Sequence, residues 1–290
     1  MDISKEFMDK ILVAQKNEKT EYYIYIKLSE KIKNNENRET LKRIANAEFE
    51  HYKFWKNITQ KEVKPFRFKI FFYYWISLIF GLTFGIKLME KGEQNAQINY
   101  MKLDKQIPGI KKIIEEEEEH EKTLIKLNEE KLKYLGSIVL GLNDALVELT
   151  GVLAGLTLAL QKTHLIVITG LVTGISASFS MAASEYLSRK SEGNVSKIAF
   201  KASVYTGIAY IITVLLLIMP YLFLNNYIIC LGITLFTAIL IIFAFNYYIS
   251  IAKDFSFKKR FLEMSFISLG VAGLSFIVGY ILRLTLGVDI

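Results

Sequence analysis

The chain has 290 residues, of which 52% are apolar, and its mean hydropathy is positive at +0.28. A net charge of +7 over that length is too small to point to nucleic acid, and lysines beside apolar segments account for the excess. One cysteine, Cys230, excludes an intrachain disulfide, and the opening Met1-Asp-Ile-Ser-Lys-Glu6 lacks the apolar core of a signal peptide. The expectation is a two-part, all-α chain: a polar half, 1–134, that stays in the cytoplasm, and a membrane-embedded half, 135–290.

The first half has few prolines and long patterns of 3.6-residue period. Helices are expected over about 4–34 and 37–60, then from Pro65 to about 104, and from Pro108-Gly109 to about 133. Four helices with short connections make an up-and-down bundle. One pattern runs through it twice in the same order. Glu18 and Tyr25 are seven residues apart on helix one, and helix two carries Glu48-Phe-Glu-His51; Glu93 and Tyr100 repeat that spacing on helix three, and helix four carries Glu117-Glu-Glu-His120. Seven residues is nearly two turns, and three residues is nearly one, so each Tyr and each His shares a face with its Glu. A Glu from each of two helices plus Glu-x-x-His from the other two is the donor set of a di-iron or di-manganese bundle. The bland alternative is a solvated face, because His120 follows five glutamates and Glu48/His51 alone reads as a surface pair.

Ile70 to Ile86 is free of charge and rich in aromatics, at the short limit for a membrane span. Crossing there would separate Glu90 and Glu93 from Glu18, Glu48 and His51. A helix packed in the bundle, on a partner or at the membrane interface fits better.

This half resembles rubrerythrin and related ferritin-like proteins over about 120 residues. The resemblance implies that Glu18, Glu48, His51, Glu93, Glu117 and His120 hold iron or manganese, with Glu90 as an additional carboxylate. It also implies that Tyr25 and Tyr100 are outer hydrogen-bond donors orienting the ligands. Glu21, one turn from Glu18, is a rival ligand. Many rubrerythrins add a Cys-x-x-Cys domain that delivers electrons; this sequence has none, which counts against a self-sufficient peroxidase.

The second half opens on an apolar run, Leu135 to Leu160, long enough to cross a bilayer. Within it Asp144, Glu148, Gly151 and Gly155 share one face, acids at one end and a Gly-x-x-x-Gly contact surface at the other. Acids inside a span are costly and point to an ion or proton route. Four more apolar segments follow, at about 165–187, 202–224, 227–250 and 264–283. On the second, Gly174, Ser178, Met181 and Glu185 form another stripe; the thioether favours a softer transition ion over magnesium or calcium, although Met181 alone reads more simply as packing. Arg189, Lys190, Lys197 and Lys201, and then Lys253, Lys258, Lys259 and Arg260, fall in two alternate connections. The positive-inside rule puts those connections and the first half in the cytoplasm and the C-terminus outside.

Gly141-Leu-Asn-Asp144-Ala-Leu-Val-Glu148-Leu-Thr-Gly151 and Ser180-Met181-Ala-Ala-Ser-Glu185-Tyr-Leu-Ser-Arg-Lys-Ser-Glu192 are similar to the first two spans of the vacuolar iron transporter family. That resemblance implies a dimeric exchanger that moves ferrous iron or manganese out of the cytoplasm against protons. Asp144, Met181 and Glu185 match its transport residues, with Glu148 a further proton or metal carboxylate. The plant-type insert between spans two and three has no room in Ser188–Ala199, and the ferritin-like half stands as the cytoplasmic collector in its place. The two modules together resemble bacterial membrane-bound ferritin-like iron exporters. A homodimer is expected from the odd span number and from Gly-x-x-x-Gly faces left over. The rival class is a membrane-tethered di-iron oxidase or peroxidase with the spans as anchor; a third reading has the bundle only sensing metal and gating the pore.

Overall fold

The computed structural model describes residues 5–94, 109–125 and 133–286, and its regular elements among these are ten helices. The chain divides into two compact units, Met1–Glu129 and Glu130–Ile290.

In the first unit, α1 (Lys5–Lys31) and α2 (Asn35–Thr59) lie against each other. Asn34 caps α2 by accepting from the Asn37 amide at 3.0 Å, which satisfies one of the amide groups that a helix start leaves without a partner. The apolar stripes of the pair, Ile24, Leu28, Leu41 and Ile44, meet in a core fully shielded from water. At the other end of the pair Trp55 packs with Ile11, Ile110 and Ile113. The connection after α2 is fixed to α1: Gln15 donates to the Lys61 carbonyl at 2.8 Å, Lys19 pairs with Glu62, and the Phe66 amide donates to Thr20 Oγ1 at 3.0 Å. Two short helices follow, α3 (Arg67–Phe80) and α4 (Leu82–Gln94), and then α5 (Ile110–Ile125), which touches α2 and α4.

One long helix from Pro65 to about 104 is therefore incorrect over its described part. The chain breaks at Gly81, whose φ of 108° lies outside what a side chain tolerates. Beyond the break α4 folds back on α3, so closely that a Cβ on Gly85 would overlap Ser77. At 14 residues α3 falls short of the ~20 residues a span needs, and the described part of α4 has 13. Tyr100 lies outside the described residues, as does the side chain of Glu93.

The second unit holds five helices long and apolar enough to cross a membrane. They are α6 (Leu135–Leu160), α7 (Thr163–Ser191), α8 (Ser196–Phe223), α9 (Tyr227–Lys253) and α10 (Phe257–Leu286). Several start or end beyond the expected apolar segments, because the helix carries on through basic residues such as Lys197, Lys201 and Lys258 where hydropathy falls. Side-chain contacts fix their sense. Ser137 meets Glu185 while Leu153 meets Gly170, so α7 runs against α6. Ser137, Glu148 and Thr157 meet Thr206, Tyr210 and Tyr221 in that order, so α8 runs with α6. Thr234 bonds the Leu217 carbonyl and Cys230 the Pro220 carbonyl, which sets α9 against α8. Leu146 and Gly151 meet Ser268 and Val271, so α10 again runs with α6.

The small-residue stripe on α6 is used inside the protomer. A Cβ on Gly151 would come within 2.9 Å of Val271 and one on Gly155 within 3.1 Å of the Ser275 carbonyl, while one on Gly279 would overlap the Gly155 backbone. The expectation of Gly-x-x-x-Gly faces left over for a second copy is thus corrected: α10 takes this one, since glycines let two backbones approach where larger side chains would hold them apart.

Candidate metal centre and intramembrane acids

Glu18 on α1, Glu48 and His51 on α2 and Glu117 on α5 bring ligand atoms within 4.8 Å of one another, a group that could hold a metal ion. Glu48 and His51 are one turn apart, and the packing of α1 and α5 on α2 supplies the other two acids. His51 Nδ1 lies 3.0 Å from Glu117 Oε1, 3.3 Å from Glu48 Oε2 and 3.6 Å from Glu18 Oε2. Neither that nitrogen nor Glu48 Oε2 makes a properly directed hydrogen bond, although both are buried. Buried polar atoms are rarely left so. His120 joins through its own Nδ1, 3.1 Å from Glu48 Oε1, and the two imidazoles stack with centroids 5.8 Å apart. Two imidazoles with the same nitrogen turned toward one carboxylate, plus two further acids, are the donor chemistry of iron or manganese rather than of thiolate-rich zinc.

The electrostatics follow from crowding acids away from water. Burial raises the Glu18 carboxyl well above the ordinary range, with Glu117 and Glu48 adding to it. Burial and then Glu117 push Glu48 up to about 7. Burial pulls the His51 imidazole down, but Glu117, Glu18 and Glu48 outweigh it and hold the ring's proton far more firmly than usual. His120, by contrast, is lowered, chiefly by burial.

Tyr25 is buried beside this group, its phenol raised by burial and by the charges of Glu90, Glu21, Glu48 and Glu117. Glu90 and Glu21 therefore reach the neighbourhood of Tyr25, while Glu18, not Glu21, enters the cluster of four. Two neighbours were not expected. Trp55 donates its indole N–H to Glu18 Oε1 at 3.2 Å, and Glu116 Oε2 meets His51 Nε2 at 2.9 Å. Trp55 stands one turn beyond His51 on the same buried face of α2, a visible signal. Nothing in a run of five glutamates singles out Glu116.

In the second unit Glu185 is buried at 6% exposure, receives a hydrogen bond from Ser137 at 2.6 Å and pairs with Arg189 at 2.9 Å. Arg189 also donates to Ser137 at 3.3 Å, which ties three groups from α6 and α7 together. Glu148 accepts from Tyr210 at 2.7 Å. Asp144 is half-buried and pairs with no basic side chain among the described residues. Met181 packs against the span core. Asp144, Glu148 and Glu185 do not form one ligand group within the protomer, among the described residues. They are staggered instead. With Ser137 level with Glu185, Met181 lies about 6 Å, Asp144 about 10 Å and Glu148 about 16 Å further along the helices.

The model of the VIT family matches residues 135–200, the whole of α6 and α7 and the start of α8. No curated protein matches the chain. The match, together with five apolar helices, supports a VIT-like integral membrane protein and suggests membrane metal transport.

Proposed function

We propose that the protein exports divalent iron or manganese from the cytoplasm in exchange for protons, with the first unit collecting, sensing or oxidising the metal. The observation that carries the reading is the staggered series of acids, Glu185, Asp144 and Glu148, inside the helices that the VIT family match covers. Charge is kept there at a cost of several kcal/mol per group unless it is paired or used, and Asp144 has no basic partner among the described residues. A cation entering at Glu185 would find the Met181 thioether one turn further in and Asp144 beyond it. Proton binding to these carboxylates from the outer, more acidic side would release it. Both basic connections fall at the end of the bundle where α6 begins, so the positive-inside rule puts the N-terminal unit in the cytoplasm and the C-terminus outside.

A second copy of the chain completes the route on this reading. Glu148, Ser176, Ser180 and Ser184 are exposed on one protomer at depths where lipid would otherwise meet them. The homodimer rests on these polar groups rather than on the glycines.

At the bundle, Glu18, Glu48, His51, Glu117 and His120 would hold the metal, with Glu90 and Glu93 on α4 as further ligands and Tyr25 and Trp55 orienting the acids; Tyr100 would be the second orienting phenol. Iron or manganese bound there would supply one-electron redox and Lewis acidity. The orphaned His51 Nδ1 and Glu48 Oε2 favour this fit, since a cation satisfies both. A ferritin-like di-iron or di-manganese centre is the form we favour. The rival reading, a tethered oxidase or peroxidase, draws on the same cluster but leaves the three acids in the spans idle.

The test is flux of ferrous and manganous ions into proteoliposomes under a proton gradient, with Asp144→Ala and Glu185→Ala beside the wild type. Loss of flux with an intact bundle site supports transport. Full flux in both variants, or oxygen-driven turnover of iron(II) with no flux at all, gives the tethered oxidase the better claim.

A further inference from the structure

The helix α3 is built inside out for a water-facing bundle. Phe68, Phe71, Phe72, Trp75 and Ile79 follow i, i+3, i+4, i+7, i+11 spacing, so they share one face. That face is turned away from the unit: Phe68 is 77% exposed, Phe71 63%, Trp75 47% and Ile79 60%. The opposite side, with Ile70 and Ser77, is the buried one. The rings are ordered among themselves, Phe68 on Phe72 and Phe71 beside Trp75, with centroids 6.1 and 6.3 Å apart. Exposed apolar patches of this breadth mark an interaction surface.

We infer that this face of α3 docks into the interfacial layer of the bilayer, as an in-plane helix. Three observations favour lipid over a protein partner. From Val63 to Met89 the chain has no acidic residue, while Lys64 and Arg67 are exposed where α3 begins, so the edge of the patch complements anionic headgroups. At 14 residues, α3 is about 21 Å long, too short to cross and suited to lying flat. A bilayer is also always within reach. The described part of α5 reaches Ile125 and the first span begins at Leu135, and the ten Cα–Cα steps from one to the other extend at most about 35 Å. Trp and Phe with flanking cations are the composition of an interfacial anchor. The bonds from Gln15, Lys19 and Thr20 to the preceding connection fix where α3 starts, so docking would hold the whole metal-binding unit at one orientation to the surface.

The two tryptophans make the test direct, because Trp55 is fully buried and Trp75 lies on the face. The full chain is reconstituted in vesicles of phosphatidylcholine and phosphatidylglycerol with ordinary or brominated acyl chains, and tryptophan emission is compared in wild type and Trp75→Phe. Docking predicts that brominated lipid quenches the emission that W75F removes, leaves the W75F signal unchanged, and protects Trp75 from iodide. Phe71→Glu should abolish that quenching while the unit still binds manganese, which shows that it remains folded. Trp75 quenched by iodide and not by lipid would overturn the inference. So would W75F emission that falls as far as the wild type's, which places the lipid contact elsewhere. Efficient disulfide formation between copies of Phe71→Cys, without lipid quenching, would assign the face to a second copy of the chain instead.

Discussion

Arg189→Ala tests whether Glu185 lies on the cation route. In the wild type the guanidinium holds Glu185 at 2.9 Å and the same acid receives the Ser137 hydroxyl at 2.6 Å. The Glu185 side chain is 7% exposed and that of Arg189 32%. Breaking a fully buried pair costs about 3–5 kcal/mol, but solvent at the arginine screens the interaction, and a charge-assisted hydrogen bond of about 1.5–3 kcal/mol is the better measure. Removing the arginine should therefore lower stability by about 1–3 kcal/mol when no metal is bound. A divalent cation that must displace the guanidinium should then bind about 5- to 150-fold more tightly, which is the same free energy returned. The assay is manganese titration of the purified full chain, with thermal unfolding recorded with and without metal. Added metal should raise the melting temperature of R189A more than that of the wild type, whereas Glu185→Gln should lose the effect. If R189A and E185Q both bind metal as the wild type does, Glu185 is a structural acid and the entry assigned to it is wrong.

Three further outcomes follow from the geometry. Metal binding at the bundle should release protons, from His51 and from the raised carboxyls of Glu18 and Glu48, the last below about 7, so affinity should rise at least tenfold per pH unit near neutrality and more steeply below about 7. Calorimetry in buffers of different ionisation enthalpy measures this directly, and pH-independent binding would contradict it. Gly81→Ala places a side chain at a φ of 108° and should cost about 1–3 kcal/mol, read as a lower unfolding temperature with the spans unaffected. Gly279→Val should part α10 from α6, where a Cβ would overlap the Gly155 backbone; a loss of about 1–3 kcal/mol or more in detergent stability is expected, and unchanged stability would mean that the two helices do not meet there.

Charge against apolar background was the part of this chain that sequence made plain. Five spans, and acids at 144, 148 and 185 within them, stand out because hydropathy and charge are local properties of each segment. The Glu-x-x-His pair at 48 and 51 was equally visible, because a helical turn fixes which residues adjoin. What hid was everything set by a neighbouring helix. Ile70–Ile86 reads as one helix because a glycine inside an apolar run looks alike whether it packs or breaks; only the return of α4 onto Ser77 decides for Gly81. The Gly151/Gly155 stripe announces a close contact without naming α10 as the partner. Arg189 looks like one more basic residue after a span, yet Ser137 from α6 helps draw it onto Glu185. Glu116 and Glu117 differ by one position in a homogeneous run, and helix phase alone turns one to each nitrogen of His51.

Each group of acids surrounds a basic side chain of the protein. In the bundle it is His51, whose ring proton Glu117, Glu18 and Glu48 hold more firmly than usual; in the spans it is the Arg189 cation on Glu185. The two differ in how that side chain yields. An imidazole gives up its proton and then offers the freed nitrogen as a ligand, so loading the bundle is linked to pH and needs little rearrangement. A guanidinium does not deprotonate in proteins and must swing away, so entry at Glu185 requires a side-chain displacement that pH does not assist. On the proposed reading, this separates the two steps chemically. Acidification of the cytoplasm should empty the bundle while leaving the Arg189 barrier in place, and R189A should remove the barrier while leaving the bundle's proton release unchanged. A single variant that altered both together would show that the two groups are coupled rather than independent stations for the metal.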